Sequence, residues 1–210
     1  MPPFLALALA CAPAVAPVTM TAVARAESAF NPWAIGIVGG PPLVRQPRSR
    51  DEAETMARAL LAAGHRLDLG LAQVNSANLA PLGLGLADAF DPCRNLRAAA
   101  TVLVYCYARA RRQIAQVQPA LQAALSCYNS NSLEAGFANG YVQRVAAGSA
   151  QIVPAIDPNY PVPAAPKRRF GILLEPARGA AAGTRTAPLV IVPHRSAGRG
   201  VTVLYGGHPE

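Results

Sequence analysis

Residues 22–36 (AVARAESAFNPWAIG) place a carboxylate, Glu27, at the end of a predicted helix. Pro32 cannot continue a helix and keeps Asn31 out of helical geometry, so Glu27 falls in the last turn. That end of the helix dipole repels negative charge, and Arg25 lies roughly 200° around the helix, where it cannot neutralise the carboxylate. Such a carboxyl is expected at a functional site, where it exchanges protons. The alternative is a solvated Glu at a frayed helix end.

Helices are predicted to position this residue and to make up nearly all of the domain, with a Gly-, Pro- and Arg-rich loop at residues 36–50. Ser49 and Glu52 have capping-box spacing at the start of one helix, which ends at Gly64. Asp91 followed by Pro92 provides a cap and a first-turn proline for another. The predicted helices cover approximately residues 13–28, 51–64, 92–113, 119–129 and 133–147. The fold class is therefore mostly α.

The N-terminal residues 3–18 are apolar enough to resemble the core of a signal peptide. No Lys or Arg precedes them, and their removal would cut into the helix that carries Glu27. We interpret them as the domain's own first helix. An export signal upstream of Met1, or use of this segment as an uncleaved signal, is the alternative. Because no proline-free apolar stretch of about 20 residues occurs, no stable membrane span is expected.

The composition changes after residue 153 and divides the chain into two regions. Residues 1–153 form the predicted helical domain, whereas nine of the 57 residues in 154–210 are Pro, which is typical of a linker or disordered tail. Two short apolar runs, at 189–192 and 201–205, could pair as strands or dock on a partner. The tail is predicted to be low in complexity and to contact a partner rather than to do chemistry.

The net charge of +8 is spread along the chain and forms no stripe of the kind that binds nucleic acid. A mildly basic surface suits an anionic polymer. The three histidines, His65, His194 and His208, are isolated, so neither a metal site nor another cofactor is expected.

The four cysteines form an even set with no CxxC pair, which fits two disulfides in an oxidising compartment; four buried free thiols are the alternative. Cys106 and Cys127 lie on two predicted helices joined by a short turn. Their midpoint falls inside that turn, so the two residues are level across an antiparallel hairpin and can bond. Cys11 and Cys93 are then left for each other by elimination.

Three motifs follow one another in the chain: ESAFNP at 27–32, GLAQVN at 70–75 and SCYNSN at 126–131. In this order they resemble the lytic transglycosylase family with the soluble-transglycosylase or goose-type lysozyme-like fold, over about residues 12–150. The stretches CAPAVAP, AIGIVGG, LVRQPR, DPCRNLRA and GYVQRV are similar to the specialised transglycosylases encoded with type IV secretion and conjugation systems. The chain departs from the pattern at 130–131, where Ser-Asn replaces the common Ala-Gly, and in the added helix at 51–64.

The resemblance implies roles for one or two residues in each of these three motifs. Glu27 matches the catalytic acid, and Ser28 matches a residue that positions sugar or acid. Gln73 matches the Gln that lines the sugar cleft; otherwise it caps a backbone turn. Tyr128 and Asn129 match the Tyr-Asn pair, whose Tyr hydroxyl bonds the catalytic carboxylate in the family. A plain core role is the alternative for Tyr128.

The sequence offers no second acid inside a motif, although glycoside cleavage normally uses two carboxylates. Asp68 and Asp91 are interpreted as turn or cap residues. One acid suffices if the N-acetyl oxygen of the substrate attacks the anomeric carbon. In the family, the counterpart of Glu27 protonates the leaving oxygen and then takes a proton from the muramic hydroxyl, which closes an anhydro ring. This chemistry needs a carboxyl that stays protonated near neutral pH.

The resemblance therefore implies a peptidoglycan lytic transglycosylase of the bacterial periplasm or cell envelope. It would cleave the β-1,4 bond between N-acetylmuramic acid and N-acetylglucosamine and open the wall locally for a type IV secretion or conjugation channel. Its expected partners are glycan strands and channel proteins, and not nucleic acid. The alternatives are a weakly active or inactive glycan-binding assembly factor of the same apparatus, and a hydrolase of the lysozyme type.

Overall fold

Helices dominate the computed structural model, which describes residues 3–148, 190–193 and 201–204. The mostly α fold class is thus confirmed. Seven helices lie in the first of these ranges: α1 (Pro3–Cys11), α2 (Pro17–Ser28), α3 (Arg50–Ala62), α4 (Pro92–Arg111), α5 (Val117–Ser130), α6 (Ala135–Ala138) and α7 (Tyr141–Ala147).

The helix predicted over residues 13–28 ends at Ser28 as expected but begins at Pro17, and a separate helix, α1, precedes it. Pro13 lies in the link between α1 and α2, and Pro17 takes the first turn of α2, where its missing N–H is harmless. Ala8 and Ala12 are fully buried in the core. The N-terminal apolar segment is therefore part of the packed domain, as expected.

The helices in the middle of the chain start at the predicted caps. The hydroxyl of Ser49 accepts a hydrogen bond from the Glu52 N–H at the start of α3. The carboxylate of Asp91 does the same for the Arg94 N–H at the start of α4, so the cap interpretation of Asp91 is confirmed. Each bond satisfies an N–H that has no partner inside its helix.

The hairpin of α4 and α5 forms the central packing unit and carries one disulfide. Cys106 and Cys127 are bonded, with their Cα atoms 5.6 Å apart. The other disulfide joins Cys11 to Cys93 at a Cα separation of 5.1 Å and ties α1 to the start of α4. Both predicted pairs are confirmed.

A three-stranded antiparallel sheet interrupts the helices, and the sequence interpretation missed it. The strands are β1 (Ile35–Ile37), β2 (Leu67–Leu69) and β3 (Val74–Asn75), in that spatial order. The first and last residues of β1 and β2 are buried, whereas the middle ones are only partly buried. One face of the sheet therefore joins the core, and the other faces outward.

The predicted final helix is wrong in one respect, because it is broken into α6 and α7. Gly140 has a φ of 75° between them, which ends one helix and starts the next in a new direction. As a result Tyr141, the first residue of α7, is 2% exposed and points into the domain.

Near the C-terminus, β4 (Val190–Pro193) and β5 (Val201–Leu204) pair antiparallel, which is one of the two alternatives that the apolar runs left open. The prediction of a disordered tail over the rest of 154–210 lies outside the described residues. In the ranges described, no helix combines the length and apolar character needed to cross a bilayer.

Candidate active site

Glu27 lies in the last turn of α2, as predicted, and is partly exposed. Directly after that helix, Ala29 and Phe30 adopt left-handed φ angles of 50° and 66°. This conformation is uncommon for a bulky residue and is held by packing, since the Phe30 ring lies 4.8 Å from that of Phe4. The guanidinium of Arg25 lies 5.6 Å from the Phe30 ring centroid, so it stacks there. The helix that carries Glu27 thus ends in a sharp, fixed turn.

The hydroxyl of Tyr141 donates a hydrogen bond to the Glu27 carboxyl at 2.5 Å. This corrects the expectation that Tyr128 makes that bond. The hydroxyl of Tyr128 donates instead to the backbone oxygen of Ala72 at 2.6 Å. The two tyrosines therefore divide the work: Tyr141 orients the acid, and Tyr128 holds the loop beside it.

The Glu27 carboxyl is strongly perturbed toward its protonated form. Burial raises its pKa from 4.5 to about 8, the hydrogen bond from Tyr141 opposes this rise, the negative charge of Asp68 adds to it, and the positive charge of Arg144 opposes it. At neutral pH the group is a carboxylic acid. Because Tyr141 donates to one oxygen, the proton is directed to the other, which leaves an acid able to protonate a substrate.

Side chains from three helices hold residues 69–73, which we call the site loop. Ser28 of α2 donates to the Leu71 carbonyl oxygen at 2.7 Å, and Tyr128 of α5 bonds Ala72 as described. Asn95 of α4 donates to the Leu69 carbonyl oxygen and accepts from the Ala72 N–H, at 2.8 and 2.9 Å. The sequence interpretation missed Asn95, which is 1% exposed. A polar side chain in the apolar stripe of α4 was the available signal.

Gln73 ends the site loop with a left-handed φ of 48°. Its side-chain N–H₂ donates to the carbonyl oxygens of Gly70 and Ala34 at 2.9 and 3.2 Å, so this half of the amide caps the backbone. Its oxygen lies over Gly36, only 2.9 Å from where a Cβ at that position would stand. Gln73 thus joins the loop to β1 and presents its oxygen on the outer face of the sheet.

Asn129 follows Tyr128 but lies toward the surface, where its side-chain oxygen accepts a hydrogen bond from Asn139 at 2.8 Å. Asn131 directly follows α5 and caps it with a left-handed φ of 58°. Asn tolerates this conformation better than most residues, which explains how it replaces the glycine common in the motif. Arg109 fixes it by donating to both its backbone and side-chain oxygens at 2.9 Å.

Asp68 is not a turn residue, which corrects the sequence interpretation. It is the middle residue of β2 and accepts a hydrogen bond from the Asn75 side chain at 2.8 Å. Burial raises its pKa from 3.8 to about 6, against the effects of Asn75 and of the positive charge of Arg66. The charge of Asp68 contributes to the raised pKa of Glu27, so a second carboxyl lies near the first. Among the described residues, no group of three His, Cys, Asp or Glu side chains could hold a metal ion.

Comparison with known proteins places this arrangement in a family. The profile described as "Transglycosylase SLT domain" matches residues 4–148. The "Type IV secretion system protein virB1" of Brucella abortus is 50% identical over 155 residues, which cover 71% of this chain and 65% of that protein. The "Protein virB1" of Agrobacterium tumefaciens is 42% identical over 147 residues, which cover 70% of this chain and 60% of that protein.

The chain thus spans less than two thirds of the length of these curated relatives. No solved structure matches it. The family match runs from α1 to the end of α7 and includes the sheet, so it takes in every element that surrounds Glu27. On that ground the chain belongs to the transglycosylase SLT domain family.

Proposed function

We propose that this protein is a peptidoglycan lytic transglycosylase that cleaves the β-1,4 bond between N-acetylmuramic acid and N-acetylglucosamine. The observation that carries the proposal is Glu27, a partly exposed residue whose carboxyl is bonded by Tyr141 and whose pKa of about 8 keeps it protonated at neutral pH. Membership of the transglycosylase SLT domain family supports it.

In the first step, Glu27 donates its proton to the bridging oxygen and the bond from that oxygen to the anomeric carbon breaks. The acetamido oxygen of the muramyl sugar bonds to the same carbon, which gives a cyclic oxazolinium ion and a Glu27 carboxylate. The hydrogen bond from Tyr141 stabilises this carboxylate as it forms.

In the second step, the Glu27 carboxylate takes the proton of the C6 hydroxyl of the muramyl sugar. The hydroxyl oxygen bonds to the anomeric carbon while the bond to the acetamido oxygen breaks. The product is an anhydro ring, no water is consumed, and Glu27 is again protonated. A pKa near 8 suits a group that must give and then regain a proton close to neutral pH.

We assign this cleavage to the local opening of the wall for a type IV secretion or conjugation apparatus in the periplasm. The support is the name of the Brucella abortus relative, a type IV secretion system protein. The two disulfides fit an oxidising compartment. In this setting the partners are glycan strands and proteins of the channel.

Asp68 favours a second candidate, a lysozyme-type hydrolase. In such an enzyme a second, ionised carboxylate stabilises or bonds the sugar cation, and water completes the reaction. The two reactions differ in product mass, because an anhydro end is one water lighter than a hydrated one.

The test is a peptidoglycan zymogram with the purified protein and its Glu27→Gln variant, followed by mass spectrometry of the released fragments. We expect clearing only with the unmodified protein, and anhydro ends in its products. Hydrated ends would favour the hydrolase. Equal absence of clearing with both proteins would favour a non-enzymatic assembly factor.

A further inference from the structure

We propose that Asp68 is a second catalytic residue, whose carboxylate accepts a hydrogen bond from the acetamido N–H of the muramyl sugar and stabilises the oxazolinium ion. The inference rests on the proposed transglycosylase reaction. Asp68 stabilises the positive charge of the oxazolinium ion, for which a site with a single acid provides no anionic partner.

Asp68 occupies the middle of the three-stranded sheet. It lies opposite Gly36 on β1 and opposite Asn75 on β3. Directly paired residues of antiparallel strands project on the same face. The flanking residues Leu67 and Leu69 are fully buried on the other face. Asp68 therefore stands at the centre of the outward, polar face of the sheet.

The outward face of the sheet leaves room beside the Asp68 carboxylate and fixes its orientation. Among the described residues, Asp68 accepts one side-chain hydrogen bond, from Asn75 to a single oxygen. Gly36 contributes no side chain; a Cβ there would stand 2.9 Å from the Gln73 oxygen and 3.6 Å from the Asp68 Cβ. One carboxylate oxygen is thus fixed, while the other is left for a ligand donor.

Glu27 and Asp68 lie on two sides of the same site. Ser28, the residue after Glu27, is bonded to the Leu71 oxygen of the site loop that directly follows Asp68, and the negative charge of Asp68 raises the pKa of Glu27. A sugar held for protonation by Glu27 therefore lies within reach of the outer face of β2. The site presents one carboxyl on the helix side and one on the sheet side.

Between about pH 6 and pH 8 the two carboxyls are in opposite protonation states. Glu27 faces Tyr141 and Arg144 of α7, Tyr128 of α5 and Asp68 of β2, and its pKa is about 8. Asp68 faces Asn75 and Arg66, and its pKa is about 6. Between these values Glu27 is an acid and Asp68 an anion. Two carboxyls with pKa values pushed apart in this way divide the acid and the stabilising roles between them.

The chemistry needs an anion at this place. When the acetamido oxygen bonds to the anomeric carbon, positive charge spreads onto the acetamido nitrogen, and its N–H becomes a stronger donor. An ionised acceptor stabilises that state more than the uncharged substrate, which accelerates the reaction. A purely structural partner for Asn75 would not require a charge, because an Asn at position 68 would accept the same bond without the desolvation of a carboxylate.

The test compares Asp68→Asn with a matched control, Asp51→Asn, which removes the same charge from an exposed residue in the first turn of α3. Turnover of purified glycan strands is measured from pH 4.5 to 9, and thermal unfolding checks the fold. We expect Asp68→Asn to lower the maximal rate about 10²- to 10³-fold. The control should retain the rate of the unmodified protein.

The pH profile separates a catalytic from a structural role. The unmodified protein should lose activity below about pH 6, as Asp68 is protonated, and above about pH 8, as Glu27 ionises. Asp68→Asn should abolish the acid limb and move the alkaline limb to lower pH, because the charge that raises the Glu27 pKa is gone. A structural defect would lower the whole profile without moving either limb.

A binding measurement completes the test without turnover. A thiazoline derivative of N-acetylmuramic acid has the fused-ring shape of the oxazolinium ion and becomes cationic when its ring nitrogen is protonated beside an anionic acceptor. Asp68→Asn should weaken its binding at least about tenfold and change the binding of a neutral chitin oligomer less than about twofold. Equal weakening of both ligands, or full activity of a folded Asp68→Asn variant, would overturn the role of Asp68. Hydrated products from the unmodified protein would instead contradict the lyase reaction, so the two failures are distinguishable.

Discussion

The α4–α5 hairpin and the site loop are held together in opposite ways. The hairpin uses backbone bonds within each helix, apolar side chains between them and the Cys106–Cys127 disulfide. The site loop bonds its backbone to the side chains of Ser28, Asn95 and Tyr128, which come from three helices. The scaffold is thus locally determined, whereas the position of the loop depends on distant residues. The candidate site therefore adjoins a loop whose position is fixed by residues distant in the sequence.

Glu27→Gln should have the largest effect on activity and should leave the helical scaffold unchanged. Glycan cleavage is expected to fall by several orders of magnitude, because the amide can neither give nor take the proton. The helical scaffold should be unchanged by circular dichroism. Residual turnover within tenfold of the unmodified protein would contradict the role of Glu27.

The same variant should be the more stable protein at alkaline pH. The folded protein binds the Glu27 proton more tightly than the unfolded chain, since its pKa is raised from 4.5 to about 8. The free energy of unfolding of the unmodified protein therefore decreases as the pH rises through that window, and the Gln variant escapes this loss. We expect a difference on the order of 4 kcal/mol at pH 8 and almost none at pH 4. Denaturant unfolding at the two pH values measures it.

Removal of each disulfide tests how much of the scaffold's stability comes from the packing of its helices. They enclose 82 residues for Cys11–Cys93 and 21 for Cys106–Cys127. By loop entropy, replacing both cysteines with Ala should lower the free energy of unfolding by about 4.5 kcal/mol for the first pair and about 3.3 kcal/mol for the second. The smaller loss is expected in the hairpin, whose helices stay packed without the bond. A reversed order would show that the hairpin depends on its disulfide more than α1 does.

The two tyrosines separate an effect on the acid from an effect on the loop. Tyr141→Phe should lower turnover about tenfold to a hundredfold and raise the alkaline limb of the pH profile, because the bond that lowers the Glu27 pKa is removed. Tyr128→Phe leaves the buried Ala72 oxygen without its donor, which should lower the free energy of unfolding by about 1–3 kcal/mol. Turnover at several pH values and denaturant unfolding measure the two effects. Interchanged results would contradict this division.

The smallest effect is expected from removing residues 154–210. A chain that ends at Val153 keeps every helix from α1 to α7 and the whole site loop. Its wall-cleaving activity and its melting temperature should stay close to those of the full chain. Loss of both on truncation would show that the C-terminal region belongs to the domain.

The scaffold could be predicted from sequence because its signals are local. The caps of α3 and α4 and the level positions of Cys106 and Cys127 follow from spacing within a single helix or hairpin. The sheet could not be predicted, since strands of two or three residues are too short to show alternation. The missed sheet is also the reason why Asp68 was taken for a turn residue.

The position of Glu27, the candidate acid, at the end of its helix could be predicted, but its hydrogen-bond partner could not. Glu27 is marked by its own surroundings in the sequence. The choice of Tyr141 over Tyr128 depends on the change of direction at Gly140, which a continuous helical pattern across that position conceals. Asn95 was missed because its partners belong to a loop 23 and 26 residues earlier in the chain.

The Cys11–Cys93 bond has a consequence for survival among proteases. It closes a covalent ring that contains Glu27, Asp68 and the whole site loop. The most exposed part of that ring is the Gly- and Pro-rich segment at 39–48, where a protease is most able to cut. A single cut there leaves both fragments joined through sulfur, with the acid and the sheet still on the same molecule. The nicked protein should run as two fragments only after reduction.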